Sequence, residues 1–240
     1  MEISALKDKV LRFFPFYRWH PEVALRYLPV VSEVKRESPN SVLEVGSGGL
    51  GIAPYLGREV TGADTQFSLP IHPFLKPVKV SGAKLPFADK SFDLVISVDT
   101  LEHINPRDRK AFLQELFRVA KKEVILAFPT GTKAAQQDEE LARAYRGKFK
   151  TDFPFFTEHE KYGLPDKEEV LKIIKTTVPK ARVTEEDNEG LGGRKFLMRG
   201  WMTKNFFAGF FYRKILLFFL PVLEYFNREP YYRVILFIHL

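Results

Sequence analysis

The sequence predicts an α/β fold in which a doubly wound, mostly parallel sheet carries helices on both faces. From residue 41 onward, short apolar runs alternate with helical patterns, which is typical of βαβ units. A glycine-rich loop, G-S-G-G-L-G at residues 46–51, follows the first apolar run. The 240 residues are 45% hydrophobic and 28% charged, as expected of one globular domain spanning residues 1–240.

Residues 41–130 carry the clearest alternation, and we interpret them as the ligand-binding core of the sheet. Five strands and two helices are predicted, in chain order: strand "SVLEVG", helix "GIAPYLG" interrupted by Pro54, strands "EVTGAD", "VKVSGA" and "FDLVISVD", helix "PRDRKAFLQELFRVAK" and strand "KEVILAFP". Ligands of such sheets bind at the carboxyl ends of the strands, so the loops after these strands are the candidate site.

The chain outside this core predicts helical additions. Residues 1–40 are expected to form a helical cap, and residues 131–165 an insertion made of a charged helix and an aromatic loop. Asp166 is a predicted N-cap for the helix "KEEVLKIIKTT". A strand "KARVTEEDN", a bend at Gly190, Gly192 and Gly193, an apolar and basic helical insertion over 194–230, and a buried strand "YYRVILFIHL" complete the prediction.

Composition excludes several kinds of chemistry. The chain has no cysteine, which excludes disulfides, thiolate metal sites and cysteine nucleophiles. No H-x-x-x-H pattern or carboxylate cluster has ligand spacing, so no metal site is expected. The charged N-terminal residues do not resemble a signal peptide, and we expect a cytoplasmic protein.

The glycine loop allows two cofactors. Gly46, Gly48 and Gly51 fit the dinucleotide fingerprint G-x-G-x-x-G, and the acidic Asp64 follows eighteen residues after the first glycine. S-adenosylmethionine would use the same close approach of backbone to ligand. We expect Glu44 to lie at the mouth of the loop, where a carboxylate repels a pyrophosphate and attracts an ammonium and a sulfonium. The charge of Glu44 therefore favours S-adenosylmethionine.

Three segments also resemble a known family. "VLEVGSGGLG", "VTGAD" and especially "LPFADKSFDLVISVDTLEHI" are similar to the class I S-adenosylmethionine-dependent methyltransferases, in the branch that acts on small molecules and lipids. The resemblance covers roughly residues 40–130. It implies a Rossmann-like, doubly wound seven-stranded sheet, mostly parallel with an antiparallel last strand, a position that "YYRVILFIHL" suits.

The resemblance also implies nine cofactor-binding positions. Four of them would line the methionine part, one would hold the ribose hydroxyls, two would flank the adenine and two would lie beneath the cofactor. In that order they are Glu44, Gly46, Ser47 and Gly48; Asp64; Gly82 and Ala83; Val98 and Asp99. The chain departs from the family pattern at two positions. Leu50 stands where a third glycine is usual, and Ser81 stands where an aspartate commonly meets the adenine amino group.

Two histidines are candidate catalytic residues. Methyl transfer from a sulfonium mainly requires that the acceptor be aligned and water excluded, and a general base is needed only for a weak nucleophile such as a hydroxyl. His103 follows the fourth strand in "DTLEHINP", and His159 lies in "FFTEHEKYGLP" of the insertion. His103 would lie on the rim where acceptors enter such folds, and His159 would act as a base or contact the acceptor from the insertion.

The last fifth of the chain is both basic and aromatic. Residues 191–240 hold 8 Lys and Arg against 2 Asp and Glu, and nine of the 23 phenylalanines. Arg213, Lys214 and Pro221 argue against a transmembrane helix over 206–226. Residues 194–230 are therefore expected either to meet an anionic membrane surface or lipid, as a peripheral membrane protein would, or to pack in the core or a homodimer.

The function predicted from these observations is methyl transfer from S-adenosylmethionine to a hydrophobic or membrane-associated small molecule of the lipid, quinone or glycan-lipid type. The alternative enzyme is an RNA methyltransferase, since the sequence pI is about 9.4. The literal G-x-G-x-x-G keeps a nicotinamide-dependent oxidoreductase open, and a non-catalytic cofactor-binding module is the remaining alternative.

Overall fold

A seven-stranded mixed sheet forms the centre of the protein. The computed structural model describes residues 16, 18–82, 84–225 and 227–240. The strands, in chain order, are β1 Val42–Val45, β2 Val60–Asp64, β3 Leu75–Lys79, β4 Phe92–Val98, β5 Ala120–Pro129, β6 Arg182–Gly190 and β7 Tyr231–His239. They lie in the order β3-β2-β1-β4-β5-β7-β6. The chain therefore starts at the middle of the sheet and builds outward on each side.

Strand direction separates β7 from the other strands. β1 to β5 pair in parallel with one another, whereas β7 is antiparallel to both β5 and β6. β7 thus fills the gap between β5 and β6 and runs against them. The predicted α/β architecture with a reversed last strand is confirmed.

Helices cover both faces of the sheet. In chain order they are α1 Pro21–Glu37, α2 Ala53–Leu56, α3 Pro106–Val119, α4 Thr132–Phe149, α5 Pro154–Tyr162, α6 Lys167–Thr177, α7 Leu191–Trp201, α8 Phe206–Arg213 and α9 Leu220–Tyr225, with 3-10 turns at Leu101–His103 and Ile215–Phe219. The predicted cap of α6 is present, because the Asp166 side chain accepts a hydrogen bond from the Glu169 N–H.

Alternate residues along the strands contribute to two apolar layers, one on each face of the sheet. On one face Val95 of β4 packs in a cluster with Leu113 and Leu116 of α3. On the other face Leu94 and Ile96 pack in a cluster that includes residues of α1 and α9. The period of two along β4 therefore buries both faces of the central strand, as expected where helices flank a parallel sheet.

Several predicted elements differ from the observed ones. The third strand is Leu75–Lys79, upstream of the expected "VKVSGA", because it pairs in register with Val60–Asp64. The expected aromatic loop over 151–166 contains helix α5, whose buried Phe156 packs against α4. The helix after β1 is a single turn that ends at Gly57.

The prediction of a glycine-rich bend at Gly190, Gly192 and Gly193 is also wrong. Gly190 is the N-cap of α7, and Gly192 and Gly193 lie inside that helix. Leu191, Arg194 and Leu197 are buried at helical spacing, and this packing outweighs the poor helix propensity of glycine. The helical insertion therefore begins at residue 191, not 194.

The N-terminal segment contributes one described helix. Of residues 1–40, expected as a helical cap, α1 packs against the sheet, and residues 1–15 and 17 lie outside the described part of the chain. The Trp19 indole N–H donates a 3.0 Å hydrogen bond to the Pro54 carbonyl, which ties the start of α1 to α2.

Candidate active site

A cavity of about 1270 Å³ opens at the carboxyl ends of β1, β2 and β4. One half is walled by the glycine loop, Asp64 and Gly82, and the other by residues of the 3-10 turn, α5 and α7. This volume exceeds the 300–1,000 Å³ usual for a single small ligand. The cavity can therefore hold two ligands side by side, one at each half.

The glycine loop is shaped by positive backbone φ angles. Gly46 and Gly51 have φ of 85° and 50°, a region that glycine enters without steric cost. A Cβ on Gly46 would overlap the Thr100 side chain, and one on Gly51 would overlap the Glu44 carboxylate. The Gly48 N–H donates a 2.7 Å hydrogen bond to Asp64, which fixes the loop against the end of β2.

Glu44 lies under this loop, not at its mouth. Its side chain is 0% exposed and does not line the cavity. The Tyr27 hydroxyl donates a 2.7 Å hydrogen bond to Oε1 of Glu44, and the Ile52 N–H donates a 2.7 Å hydrogen bond to Oε2. Burial raises the pKa of Glu44 to about 7, against these two hydrogen bonds. The expectation that Glu44 contacts the cofactor directly is therefore wrong. Glu44 instead supports the glycine loop from beneath through its hydrogen bonds.

The other predicted cofactor positions lie on or next to the cavity. Gly46, Ser47, Gly48, Asp64, Gly82 and Val98 all line it. Ala83 lies outside the described residues. One Asp64 oxygen accepts from Gly48 and the other accepts from Gln66 at 3.0 Å. Oδ1 also accepts from the Thr65 hydroxyl at 3.4 Å, whereas Oδ2, which accepts from Gly48, keeps a lone pair for a further donor, and this suits recognition of a ribose hydroxyl.

Asp99 lies on the cavity floor and is held by two arginines. Arg233 donates to both of its oxygens, and Arg26 Nη1 lies 3.1 Å from one of them. Burial disfavours the charged form, yet the two guanidinium groups outweigh it and hold the pKa of Asp99 well below its usual range. Its predicted place at the end of β4 is right, but its carboxylate is engaged within the protein.

A second ion pair lies behind the half of the cavity that is lined by the 3-10 turn, α5 and α7, hereafter the acceptor half. Arg194 of α7 donates 2.8 Å hydrogen bonds to Asp138 and Gln137 of α4, and the Tyr232 hydroxyl donates to Asp138 at 2.9 Å. Sequence reasoning missed Arg194, Asp138 and Arg233. One signal was available, because Arg233 interrupts the apolar run of "YYRVILFIHL" and a lone charge in a buried strand requires a partner.

The two predicted histidines come together beside this network. Their ring centroids lie 4.9 Å apart, and both rings line the cavity. His159 Nδ1 lies 2.7 Å from Asp138 Oδ2, and His103 Nδ1 lies 2.7 Å from Glu158 Oε2. Burial and the neighbouring His159 lower the pKa of His103, so its imidazole is neutral at pH 7.

Aromatic side chains form the remaining wall of the acceptor half. They are Phe153, Phe155 and Phe156 near the start of α5, with Met198 and Trp201 of α7. This half therefore combines a charged floor with an apolar wall.

Three features together define a class I S-adenosylmethionine-dependent methyltransferase fold. They are the order of the strands in the sheet, the reversed direction of β7, and the hydrogen bond that joins the glycine loop to Asp64 at the end of β2. Residues 43–128 match the family model described as a methyltransferase domain. Residues 43–128 therefore form a methyltransferase domain within a class I S-adenosylmethionine-dependent methyltransferase fold, and the predicted cofactor is the one bound in solved structures of that fold. The resemblance seen in the sequence is confirmed.

Known proteins similar to the chain include one curated relative and several solved structures. A probable pectin methylesterase, CGR3, of Arabidopsis thaliana is 30% identical over 116 residues, covering 42% of this chain and 44% of the relative. The chain thus spans less than half the length of that relative. Magnesium protoporphyrin IX methyltransferase of Synechocystis with bound S-adenosylhomocysteine has a TM-score of 0.53 at 14% identity, covering 91% of this chain and 83% of that one.

A second structural neighbour is phosphoethanolamine N-methyltransferase 2 of Haemonchus contortus in complex with S-adenosylmethionine. Its TM-score is 0.52 at 17% identity, covering 89% of this chain and 52% of that one. At these identities the neighbours show the shared fold. They carry no information on the acceptor.

Proposed function

We propose that the protein transfers a methyl group from S-adenosylmethionine to a hydrophobic or membrane-associated small molecule, for which a lipid, quinone or glycan-lipid is the expected type. The observation that carries this proposal is the two-part cavity, with a glycine loop at one end and a charged, aromatic chamber at the other. The neighbours are named for acceptors as different as magnesium protoporphyrin IX and phosphoethanolamine, so the fold alone does not select one.

The glycine-loop half suits the cofactor. Gly46, Ser47 and Gly48 would contact its methionine part and Asp64 its ribose, with Gly82 and Ala83 beside the adenine and Val98 beneath it. Glu44 and Asp99 would act indirectly, Glu44 by supporting the loop and Asp99 by fixing the cavity floor. When bound, S-adenosylmethionine supplies a methyl group on a sulfonium that is already a good leaving group.

The protein's own contribution is alignment of the acceptor and removal of its proton. Holding two reactants in line can supply about 7–11 kcal/mol of the barrier in favourable cases. His159 is the best-placed base, because Asp138 at Nδ1 leaves its Nε2 as a buried acceptor with no other hydrogen-bond partner among the described residues. Neutral His103 lies beside it and would contact the same polar group.

Exposed aromatic residues support the membrane part of the proposal. Among the described residues, one segment, Phe206–Tyr225, is long and apolar enough to cross a membrane, with a mean hydropathy of 1.7 and 17% of it buried. The structure breaks this segment into α8, a 3-10 turn and α9. Phe206 and Phe207 are 78% and 80% exposed, with the exposed Lys204 next to them. A short basic helix with exposed phenylalanines suits insertion into a membrane interface.

The aromatic segment is also linked to the cavity. Helix α7 carries Met198 and Trp201 on the cavity wall, and α8 follows it directly in the chain and packs against it. Arg213 of α8 donates a hydrogen bond to the Trp201 carbonyl. An acceptor drawn from a lipid surface would therefore reach the chamber over a short path along α7.

Activity is tested with labelled S-adenosylmethionine and separate lipid, quinone, glycan-lipid and RNA fractions. We expect one methyl group to appear on a lipid-soluble product, detected by mass, and the His159→Gln variant to lose at least about 100-fold in rate if a hydroxyl is the acceptor. Calorimetry should give binding of S-adenosylhomocysteine and none of NADH. Labelling of RNA alone would contradict the proposed acceptor.

Membrane association is tested by flotation with phosphatidylcholine vesicles that contain or lack phosphatidylserine. Burial of a phenylalanine contributes about 1.5–3 kcal/mol, so Phe207→Ser should weaken binding by at least tenfold. Leu240→Ser is the matched control, since Leu240 is an exposed apolar residue that follows β7 at the edge of the sheet opposite the cavity. Equal flotation of both variants and the unchanged protein would contradict a role for this segment.

A further inference from the structure

We propose that Glu102, His103 and His159 form a binding site for a divalent first-row transition metal ion in the acceptor half of the cavity. One ligand atom from each of these residues lies within 4.8 Å of the other two. The inference rests on the proposed function only for what the ion would do to an acceptor. Binding of the ion itself depends on these three side chains and on the residues behind them.

Glu102 brings a buried carboxylate without a full set of partners. Its side chain is 1% exposed, and Oε2 has no hydrogen-bond partner among the described residues. Its Oε1 lies 3.9 Å from His103 Nε2. Burial of a charged oxygen without a partner is costly, and such oxygens are usually paired with a cation or coordinate a metal.

His159 is oriented as a metal ligand. Its Nδ1 lies 2.7 Å from Asp138 Oδ2, so Nδ1 carries the proton and Nε2 presents its lone pair. Nε2 is buried and has no hydrogen-bond partner in the described part of the chain. Asp138 is in turn fixed by Arg194 and Tyr232. A carboxylate behind the imidazole is the usual support of a metal-binding histidine.

His103 comes from a different part of the chain and has a carboxylate close to its Nδ1, although that contact lacks the geometry of a hydrogen bond. Its Nδ1 lies 2.7 Å from Glu158 Oε2, and its Nε2 faces Glu102. The two histidines belong to the turn after β4 and to helix α5, elements that approach each other only in the folded protein. Their convergence explains why no sequence spacing revealed the site, and the proposal departs from the sequence-based expectation that the chain binds no metal.

Two imidazoles and one carboxylate suit zinc, cobalt, manganese or iron(II), and three protein ligands leave coordination positions open. Metal–ligand bonds of about 2.0–2.2 Å require ligand atoms roughly 3–3.5 Å apart. The present ligand atoms lie within 4.8 Å of one another, so small side-chain rotations would bring them to that spacing. The open positions would face the cavity. A hydroxyl of the acceptor held there would lose its proton more readily, a task otherwise left to His159.

A second group in the same chain provides an internal control. Glu33, Glu123 and His239 also place ligand atoms within 4.8 Å of one another. Glu123 lies near the start of β5 and His239 at the end of β7, at the ends of the strands opposite the cavity. Glu33 of α1 lies beside them and is paired with Arg36. Among the residues that the structure describes, the carboxylate nearest to the ring of His239 is Glu123 of the group itself at 3.7 Å, so no separate carboxylate supports this histidine as Asp138 supports His159.

The test is a titration of the chelator-treated protein with Co²⁺, followed by visible absorption and then by displacement with Zn²⁺. We expect one Co²⁺ per chain. His103→Gln, His159→Gln and Glu102→Gln should each weaken binding by about 10–100-fold or more, the range seen even for supporting residues of metal sites. His239→Gln should leave the spectrum and the affinity unchanged.

Circular dichroism and calorimetric binding of S-adenosylhomocysteine establish that each variant is folded, and His103→Gln is the least disruptive because His103 is partly exposed. Absence of a Co²⁺ spectrum from the folded protein, or its loss in His239→Gln alone, would overturn the proposal. Failure of S-adenosylhomocysteine to bind while Co²⁺ binds normally would instead count against the proposed function, so the two failures are distinguishable.

Discussion

Arg233 of β7 donates hydrogen bonds from Nε and Nη2 to the two oxygens of Asp99, each at 2.5 Å. Its Nη1 donates to Asn188 and Glu189 at 2.9 and 3.0 Å. One fully buried guanidinium thereby joins the end of β4, strand β6 and strand β7. It also sets the floor on which an acceptor would rest.

Loss of this guanidinium should be strongly destabilising. Arg233→Met leaves Asp99 and Glu189 buried with one positive partner fewer, and breaking such a pair costs about 3–5 kcal/mol. Urea denaturation measures the free energy of unfolding. Arg199→Met is the control, because Arg199 is 60% exposed in its ion pair with Glu140 and should cost less than about 1 kcal/mol. Equal losses in the two variants would contradict the structural role of Arg233.

Glu44 should make stability depend on pH. Its folded pKa of about 7 is above the usual 4.5, so the folded state binds the proton more tightly than the unfolded state. The resulting stabilisation is complete below about pH 4.5 and is lost as the pH rises through 7. The free energy of unfolding of the unchanged protein, relative to Glu44→Gln, should therefore fall by about 3 kcal/mol between about pH 4 and 9.

Denaturation of both proteins across this pH range provides the measurement. A Tyr27→Phe variant removes a hydrogen bond that favours the charged carboxylate, and the transition should move to higher pH. A difference that stays constant with pH would show that Glu44 is not buried as described.

The glycine loop should tolerate no side chain at Gly51. Gly51→Ala combines a positive φ with overlap of the new Cβ and the Glu44 carboxylate. Gly57→Ala has a positive φ but open space around the Cβ, so its cost should be only about 1–2 kcal/mol. We expect Gly51→Ala alone to weaken binding of S-adenosylhomocysteine by more than tenfold in calorimetry. Matching affinities in the two variants would exclude the steric explanation.

Asp64 should contribute directly to cofactor affinity. Hydrogen bonds to a charged group contribute about 1.5–3 kcal/mol, so Asp64→Ala should weaken S-adenosylhomocysteine binding by roughly 10–100-fold. Asp166→Ala is the control, because Asp166 caps helix α6 and does not line the cavity. Unchanged affinity in Asp64→Ala would place the ribose elsewhere.

The fold was largely predictable because its signals are local. Strands such as "FDLVISVD" are buried on both faces, and this produces a mostly apolar run, interrupted by Asp93 and Ser97, that is visible in the sequence. Caps such as Asp166 depend on one side chain and the next turn. Helix α5 was not predicted, because its segment combines phenylalanines with a proline and was interpreted as a loop. The packing of Phe156 against α4, which stabilises the helix, is a tertiary contact that the local pattern does not show.

The predicted cofactor was right, although the argument from the charge of Glu44, which was used to choose it, was wrong. The charge argument placed Glu44 in contact with the ligand, whereas the structure places it beneath the loop with both oxygens occupied. The distance between a strand end and a ligand cannot be read from spacing alone. Likewise, the lone charge of Arg233 in an apolar strand signals that a buried partner is needed, but the sequence pattern does not identify that partner as Asp99, 134 positions away.

The position of β7 has a consequence for biosynthesis. β6 pairs only with β7 among the described strands, and β7 leaves the ribosome after all of them. Until then β5 exposes an unpaired edge, a template for association with other nascent chains. Arg233 arrives with the same strand, so Asp99 and Glu189 lack that cation until synthesis reaches it. Maturation of the acceptor chamber is therefore a late event, and a chaperone that shields the β5 edge during translation should increase the yield of active protein.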